Sequence, residues 1–219
     1  MKTLGLLHTS ATLVPVFKEL CARHLANRDL AYFNLSDDSL IQTVIRDGAL
    51  SPLTRRRVAE HIRSLVDAGA DVVLVTCSSI GPAVDEAAPT VDIPVLRVDR
   101  PMAEAAVARA SRIGVLATLT TTLAPTTDLI RTVAAESGKE VQLRDECVAG
   151  AFDALMAGNP QEHDARVSAA LRDLARHVDV VVLAQASMAR VADQLPEGAV
   201  AVPVLSSPER AVRHLAEHG

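Results

Sequence analysis

The chain has 219 residues, 49% of them hydrophobic and 22% charged, with a formal net charge of −5. That hydrophobic content supports a packed core and excludes a disordered chain, which needs low hydrophobicity and high net charge. An acidic balance with no Trp, one Tyr and three Phe lacks the clustered basic face and the stacking platforms that nucleic-acid binding uses, so no nucleic-acid partner is expected.

Short apolar runs alternate with helix-period segments along the chain. The first strand is Leu4–Leu7, followed by a helix over Pro15–Ala26. A helix over Leu53–Ala68 leads to strands at Asp71–Val75 and Pro94–Val98. Next come a helix over Met102–Ala110, a strand at Ile113–Ala117, a helix over Pro125–Ser137 and a strand at Val141–Arg144. A helix over Glu162–Arg176, strands at Val180–Leu183 and Val200–Val204, and a helix over Pro208–Glu217 complete the series. The runs DVVLV and DVVVL do not alternate polar with apolar, the pattern of strands buried on both faces. Pro15, Pro125 and Pro208 fit first-turn positions, and Gly69 and Gly138 fit helix stops. Strand–helix alternation of this kind predicts an α/β fold with parallel sheets flanked by helices.

No segment reaches the roughly 18 apolar residues of a membrane span, and the N-terminal MKTLGLLHTSATLVP lacks the apolar core and cleavage site of a signal peptide. Cys21, Cys77 and Cys147 are widely spaced and form no CxxC pair. That argues against a disulfide framework or a structural zinc, and for a reducing compartment. The expectation is a cytoplasmic protein with no membrane partner.

An internal repeat organises the chain. DVVLVTCSSIGPAVDEAAP from Asp71 aligns without gaps on DVVVLAQASMARVADQLPE from Asp179, IPVL (Ile93–Leu96) on VPVL (Val202–Leu205), and LGLLHTSAT (Leu4–Thr12) on IGVLATLTT (Ile113–Thr121). The separations are 108 or 109 residues (71 to 179, 93 to 202, 4 to 113). Two pseudo-symmetric Rossmann-like lobes are therefore expected, residues 1–95 with 206–219 and residues 96–205, with an active site in a cleft between them.

Ligands of parallel α/β sheets bind beyond the carboxyl ends of the strands. That rule selects His8-Thr9-Ser10, Cys77-Ser78-Ser79, Thr118 to Thr122, and Gln185-Ala186-Ser187. The repeat sets Cys77 against Gln185. A thiol between a strand and a helix start is expected to have a lowered pKa; a buried packing role for Cys77 is an equal alternative at this point. Ser78 and Ser79, with backbone amides, suit a carboxylate. His8 reads as a substrate contact, a second acid/base or a structural hydrogen-bonding residue. Thr120, Thr121 and Thr122 read as a hydroxyl-rich loop before Pro125. Cys21 has core spacing, and Cys147 falls at an expected helix start. The basic candidates for carboxylate recognition are Arg97, Arg100 and Arg190. His214 and His218 lack a third metal ligand, and neither a phosphate loop nor a dinucleotide fingerprint is present, so no metal and no cofactor are expected.

The repeat, VTCSS, LAQASM, DDSLIQTVIRDGALSP (Asp37–Pro52), IGVLATLTTT (Ile113–Thr122) and DECVAGAFDALMAGN (Asp145–Asn159) together resemble the aspartate/glutamate/hydantoin racemase superfamily, which also contains arylmalonate decarboxylase and maleate isomerase. The resemblance implies a cofactor-independent enzyme with one cysteine per lobe, one removing and one returning the proton beside a carboxylate. Here the first position is Cys77 and the second is Gln185, an amide that does not titrate near neutral pH. By the same resemblance Ser78 and Ser79 donate to a substrate carboxylate, while Thr118 and Thr120 line the opposite loop and His8, Thr9 and Ser10 the floor; Thr121 and Ser187, in the strand-end segments, are further substrate-binding candidates. Three functions are open: a racemase or isomerase of a small carboxylic acid, a single-cysteine decarboxylase of a malonate-like acid, and an inactive small-acid binding protein. The substrate is taken to be a small carboxylic acid, and a homo-oligomer is compatible with the resemblance.

Overall fold

A computed structural model describes residues 2–26, 28, 30–196 and 198–218. Glu197, which ends the second copy of the repeat, lies outside them. The chain divides into two compact units, Met1–Val98 with Pro208–Gly219, and Asp99–Ser207.

The first unit holds a parallel sheet of β1 (Thr3–His8), β2 (Ala31–Ser36), β3 (Val72–Val75) and β4 (Val95–Arg97), in the order β2-β1-β3-β4. Its helices are α1 (Leu13–His24), α2 (Asp38–Asp47), α3 (Pro52–Asp67) and α4 (Gly81–Ala87). The second unit repeats the plan with β5 (Arg112–Ala117), β6 (Gln142–Cys147), β7 (Val180–Leu183) and β8 (Val204–Ser206), in the order β6-β5-β7-β8. Its helices are α5 (Arg100–Arg109), α6 (Thr120–Glu136), α7 (Ala151–Met156), α8 (Pro160–Leu174) and α9 (Ala189–Asp193). A last helix, α10 (Ser207–His218), starts at the boundary and belongs almost wholly to the first unit. The sequence boundary at 95/96 cuts through β4; pairing of Val73, Leu74 and Val75 with Val95, Leu96 and Arg97 keeps that strand in the first sheet. The boundary at 205/206 likewise removes the last residue of β8, Ser206, which pairs with Leu183.

The repeat is written into the packing. Leu4 pairs with Val72, and 109 and 108 residues on, Ile113 pairs with Val180. In α3 the buried stripe is Thr54, Val58, Ile62 and Leu65; in α8 it is His163, Val167, Leu171 and Leu174. Both helices open the same way, with a capping side chain followed by proline. Ser51 accepts the Thr54 N–H at 3.1 Å, and Asn159 accepts the Glu162 N–H at 3.2 Å. Both end over a glycine of the central strand: Gly5 lies under Leu65, and Gly114 under Leu174 and Val178. A Cβ at Gly114 would stand 2.9 Å from Leu174 Cγ, so the glycine sets how closely helix and sheet approach.

Several expected boundaries move. Pro125 lies inside α6 rather than in its first turn, because the helix begins at Thr120. Cys147 ends β6 instead of opening a helix, since it pairs with Ala117. The strand expected at Val200–Val204 is only Val204–Ser206. No helix among the described residues is long and apolar enough to cross a membrane.

Candidate active site

In the first unit, β1 and β3 are adjacent and end at the same level, so the residues after them meet. Cys77 follows β3 and opens a 3-10 turn, Ser78–Ile80, that runs into α4. Its sulfur takes hydrogen bonds from the Thr9 hydroxyl, the Ser79 hydroxyl and the backbone N–H groups of Ser79 and Ile80. Thr9, Ser78 and Ser79 are buried, and Cys77 is half-buried. Burial is the dominant influence on the thiol and pushes its pKa up; the four donors oppose this without overcoming it. The expected lowering is therefore reversed, and Cys77 rests as a neutral thiol. The physical reason is burial of the sulfur, which disfavours the charged thiolate.

His8 is wholly buried. Its Nδ1 lies 2.9 Å from Thr76 Oγ1 and its Nε2 2.9 Å from Asn34 Oδ1. Phe17 packs on the ring, with centroids 5.6 Å apart. Burial lowers its pKa, against the Asn34 hydrogen bond that raises it. With both nitrogens engaged, His8 joins β1 to β2 and to the end of β3 as a neutral structural residue. Ser10 bonds Thr12, with Oγ to Oγ1 at 2.8 Å, rather than the cysteine turn.

The second unit has the same frame with different chemistry. The Gln185 Oε1 accepts from the Thr118 N–H at 2.6 Å and from the Thr118 hydroxyl at 2.9 Å. A backbone N–H can only donate, so the amide orientation is fixed with oxygen toward Thr118 and the NH2 group away from it. Thr118 is 109 residues on from Thr9 and Gln185 is 108 on from Cys77, so the pair is the counterpart of Thr9 and Cys77. Ser187 lies half-buried in the following 3-10 turn, Ala186–Met188. Thr120 is exposed at the start of α6; Thr121 Oγ1 and Thr126 Oγ1 are buried without a partner beside Pro125, in a helix rather than the expected loop.

The three arginines proposed for carboxylate recognition are all engaged within their own units. Arg97 pairs with Asp85, Arg100 with Glu104 and Glu136, and Arg190 with Asp164. His214 and His218 stack on each other, with ring centroids 4.4 Å apart. Among the described residues no group of three or more His, Cys, Asp or Glu is placed to hold a metal ion. Sequence reasoning missed Asn34 and Thr76, the His8 partners. It also missed the cluster in which Arg57 and His61 donate to Asp37, at 2.5 and 2.7 Å. The signal for the latter was present in Asp37-Asp38-Ser39, since Asp37 caps α2 through the Ser39 N–H at 3.1 Å.

The model of the Asp/Glu/hydantoin racemase family matches residues 4–215. The chain belongs to that family. Among solved structures, it is similar to a candidate Asp/Glu racemase from Yersinia pestis, at 17% identity and a TM-score of 0.76, covering 100% of this chain and 99% of that one. A glutamate racemase isoform from Bacillus anthracis gives 16% identity and a TM-score of 0.72 over 99% and 80% of the two chains. An allantoin racemase from Pseudomonas fluorescens gives 18% and 0.67 over 99% and 89%. At these identities the likeness shows the shared fold, a pair of four-stranded parallel α/β units. Comparison with curated proteins finds no sequence match.

Proposed function

We propose that this member of the racemase family is a cofactor-independent isomerase-type enzyme acting at the carbon beside a carboxylate of a small acid, with Cys77 as its proton-transferring thiol. The observation that carries the reading is the place of Cys77, two residues past β3 and opening the Ser78–Ile80 turn, with Thr9, Ser78 and Ser79 buried around it. A thiol that rests neutral gives a proton to a carbanion or enediolate. The hydroxyls of Thr9 and Ser79 and the N–H groups of Ser79 and Ile80 then stabilise the thiolate that remains. Return of a proton to that thiolate from solvent or substrate completes the cycle.

In the second unit the counterpart of Cys77 contributes no proton. Gln185 is an amide, and its oxygen is held by both Thr118 donors, which turns the NH2 group away from Thr118. His8 does not substitute for a second base, because both ring nitrogens are engaged. Isomerisation with one protein thiol then has water or a group on the substrate take the α-proton from one face while Cys77 delivers its own proton to the other, and the proton so taken returns to the Cys77 thiolate. The same observation favours a second reading, loss of CO2 from a malonate-like acid. That reaction needs a single proton donor and a neutral hydrogen-bond donor for the developing enediolate.

The test is to incubate the protein with enantiopure small α-substituted acids and with 2-substituted malonates in D2O, following the α-proton by NMR and CO2 release. Loss of optical purity with deuterium uptake supports the isomerase. Release of CO2 with one deuterium delivered to a single face supports the lyase. Binding without exchange or CO2 release overturns the enzyme reading in favour of a binding protein.

A further inference from the structure

Arg97 was expected to bind a substrate carboxylate, and its setting gives it a different task. It ends β4, where the pair Val75 and Arg97 places it beside the strand that carries Cys77 two residues further on. Only 6% of the residue is exposed. Its guanidinium lies against Gly81, the first residue after the Ser78–Ile80 turn; a Cβ there would collide with Arg97 Cζ, Nη2 and Nε. Asp85, one turn along α4, accepts from Nη1 at 2.5 Å. That carboxylate is 58% exposed and so is screened by water; Arg97 has a further interaction besides, as does the wholly buried Asp99 two residues on. A buried cation is costly and persists where the surrounding structure uses it.

The second unit serves as an internal control. There the equivalent of the pair Val75 and Arg97 is Leu183 and Ser206, and Ala189 opens α9 where Gly81 opens α4. Asp193 stands 108 residues on from Asp85. The acidic residue is thus kept in both units. At these equivalent positions the cation, and the glycine that makes room for it, occur only in the unit that carries Cys77.

We propose that Arg97 is a positioning residue for Cys77: seated on Gly81 at the end of the cysteine turn, it stabilises the thiolate that forms when Cys77 gives up its proton. This rests on the reading of Cys77 as the proton-transferring thiol. Other ionisable groups around the turn have partners, among them the wholly buried Asp99 two residues after Arg97. His8 on β1 is bonded to Thr76 and Asn34, and Arg55 of α3 pairs with Glu86 of α4. Where α2 begins, Asp37 holds Arg57 and His61, and Asp38 accepts the Ala11 N–H.

The experiment is alkylation of the full chain with iodoacetamide from about pH 6 to about 10.5, mapped to each cysteine by peptide mass. Cys21, pushed up to about 11 by burial, serves as the internal reference. Arg97→Met is expected to raise the Cys77 midpoint by about one pH unit, so that alkylation below the midpoint slows about tenfold. Gly81→Ala, which displaces the guanidinium, shifts it the same way, and Arg97→Lys restores most of the loss. Asp85→Asn leaves the cation and removes one counter-charge beside it, so it lowers the midpoint. A merely structural wedge would reduce melting temperature in these variants without opposite shifts for Arg97→Met and Asp85→Asn. An unchanged midpoint in both, or shifts of the same sign, overturns the proposal. Should Arg97→Met fail to fold, Arg97→Lys against Asp85→Asn decides it. The readout needs no turnover, so its failure is distinct from failure of the catalytic reading.

Discussion

Replacing His8 with leucine separates a structural histidine from an acid/base one through the pH dependence of stability. In the native protein His8 is wholly buried and its pKa is lowered by that burial. The unfolded chain takes up a proton near the ordinary value of about 6.5, while the folded chain resists it until lower pH. Stability contributed by the neutral imidazole is therefore complete above about pH 6.5 and is lost as pH falls, at up to about 1.4 kcal/mol per pH unit. The carboxylates whose pKa values are lowered, Asp37, Asp71, Asp164 and Asp179 among them, lose their contribution only below their ordinary value of 3.8. The window from about pH 6.5 to 5 thus isolates histidine.

At pH 7.5, His8→Leu leaves Asn34, which is exposed and can turn to water, and Thr76, which keeps its bond to the Leu7 carbonyl at 3.1 Å. The expected cost is about 1–2 kcal/mol, a few degrees of melting temperature for a chain of this size. Thermal melts of both proteins from pH 7.5 to 5 should show the gap closing by up to about 2 kcal/mol, because only the wild type has this proton to take up. A gap that stays constant across the window would refute the neutral, fully engaged histidine.

Two further outcomes follow from the same geometry. Gln185→Glu puts a carboxylate on the Thr118 donors and removes the NH2 donor, so the apparent KM for carboxylic acids at pH 7 should rise at least about tenfold by like-charge repulsion; unchanged steady-state KM would remove Gln185 from the substrate's surroundings. Gly114→Ala should destabilise the second unit by about 1–3 kcal/mol in urea unfolding, through its 2.9 Å approach to Leu174. Gly5→Ala should cost less, because its nearest neighbour is the Ala70 Cβ at 3.1 Å. The reverse ranking would contradict the packing described for the two sheets.

The central strands and long helices were legible in the sequence because their residues obey one constraint each. Val72–Val75 and Val180–Leu183 are buried throughout, and the 108–109-residue repeat reports two copies of the same β1-β3 and β5-β7 pairing. What escaped lies where two constraints compete. The strand AYFNLS is an edge strand with half-exposed residues, so its apolar pattern is diluted. Short α4, α7 and α9 carry too few turns to show a helical period. The Thr120–Thr122 run reads as a loop because Pro125 suggests a later helix start, yet the helix accommodates that proline internally. At the site, the correspondence of Cys77 with Gln185 and of Thr9 with Thr118 follows from the repeat, but the contact between Thr118 and Gln185 is read only from the structure. The sign of the Cys77 shift does not, since it depends on burial that no local motif encodes.

The central claim is that Cys77 moves the proton. It is tested most directly by α-deuterium exchange in D2O, measured by NMR on the first acid that exchanges, for wild type, Cys77→Ser and the double variant Cys21→Ser with Cys147→Ser. The account predicts exchange in wild type and in the double variant, and its loss in Cys77→Ser with the melting temperature preserved. Exchange that persists in a folded Cys77→Ser protein would contradict it.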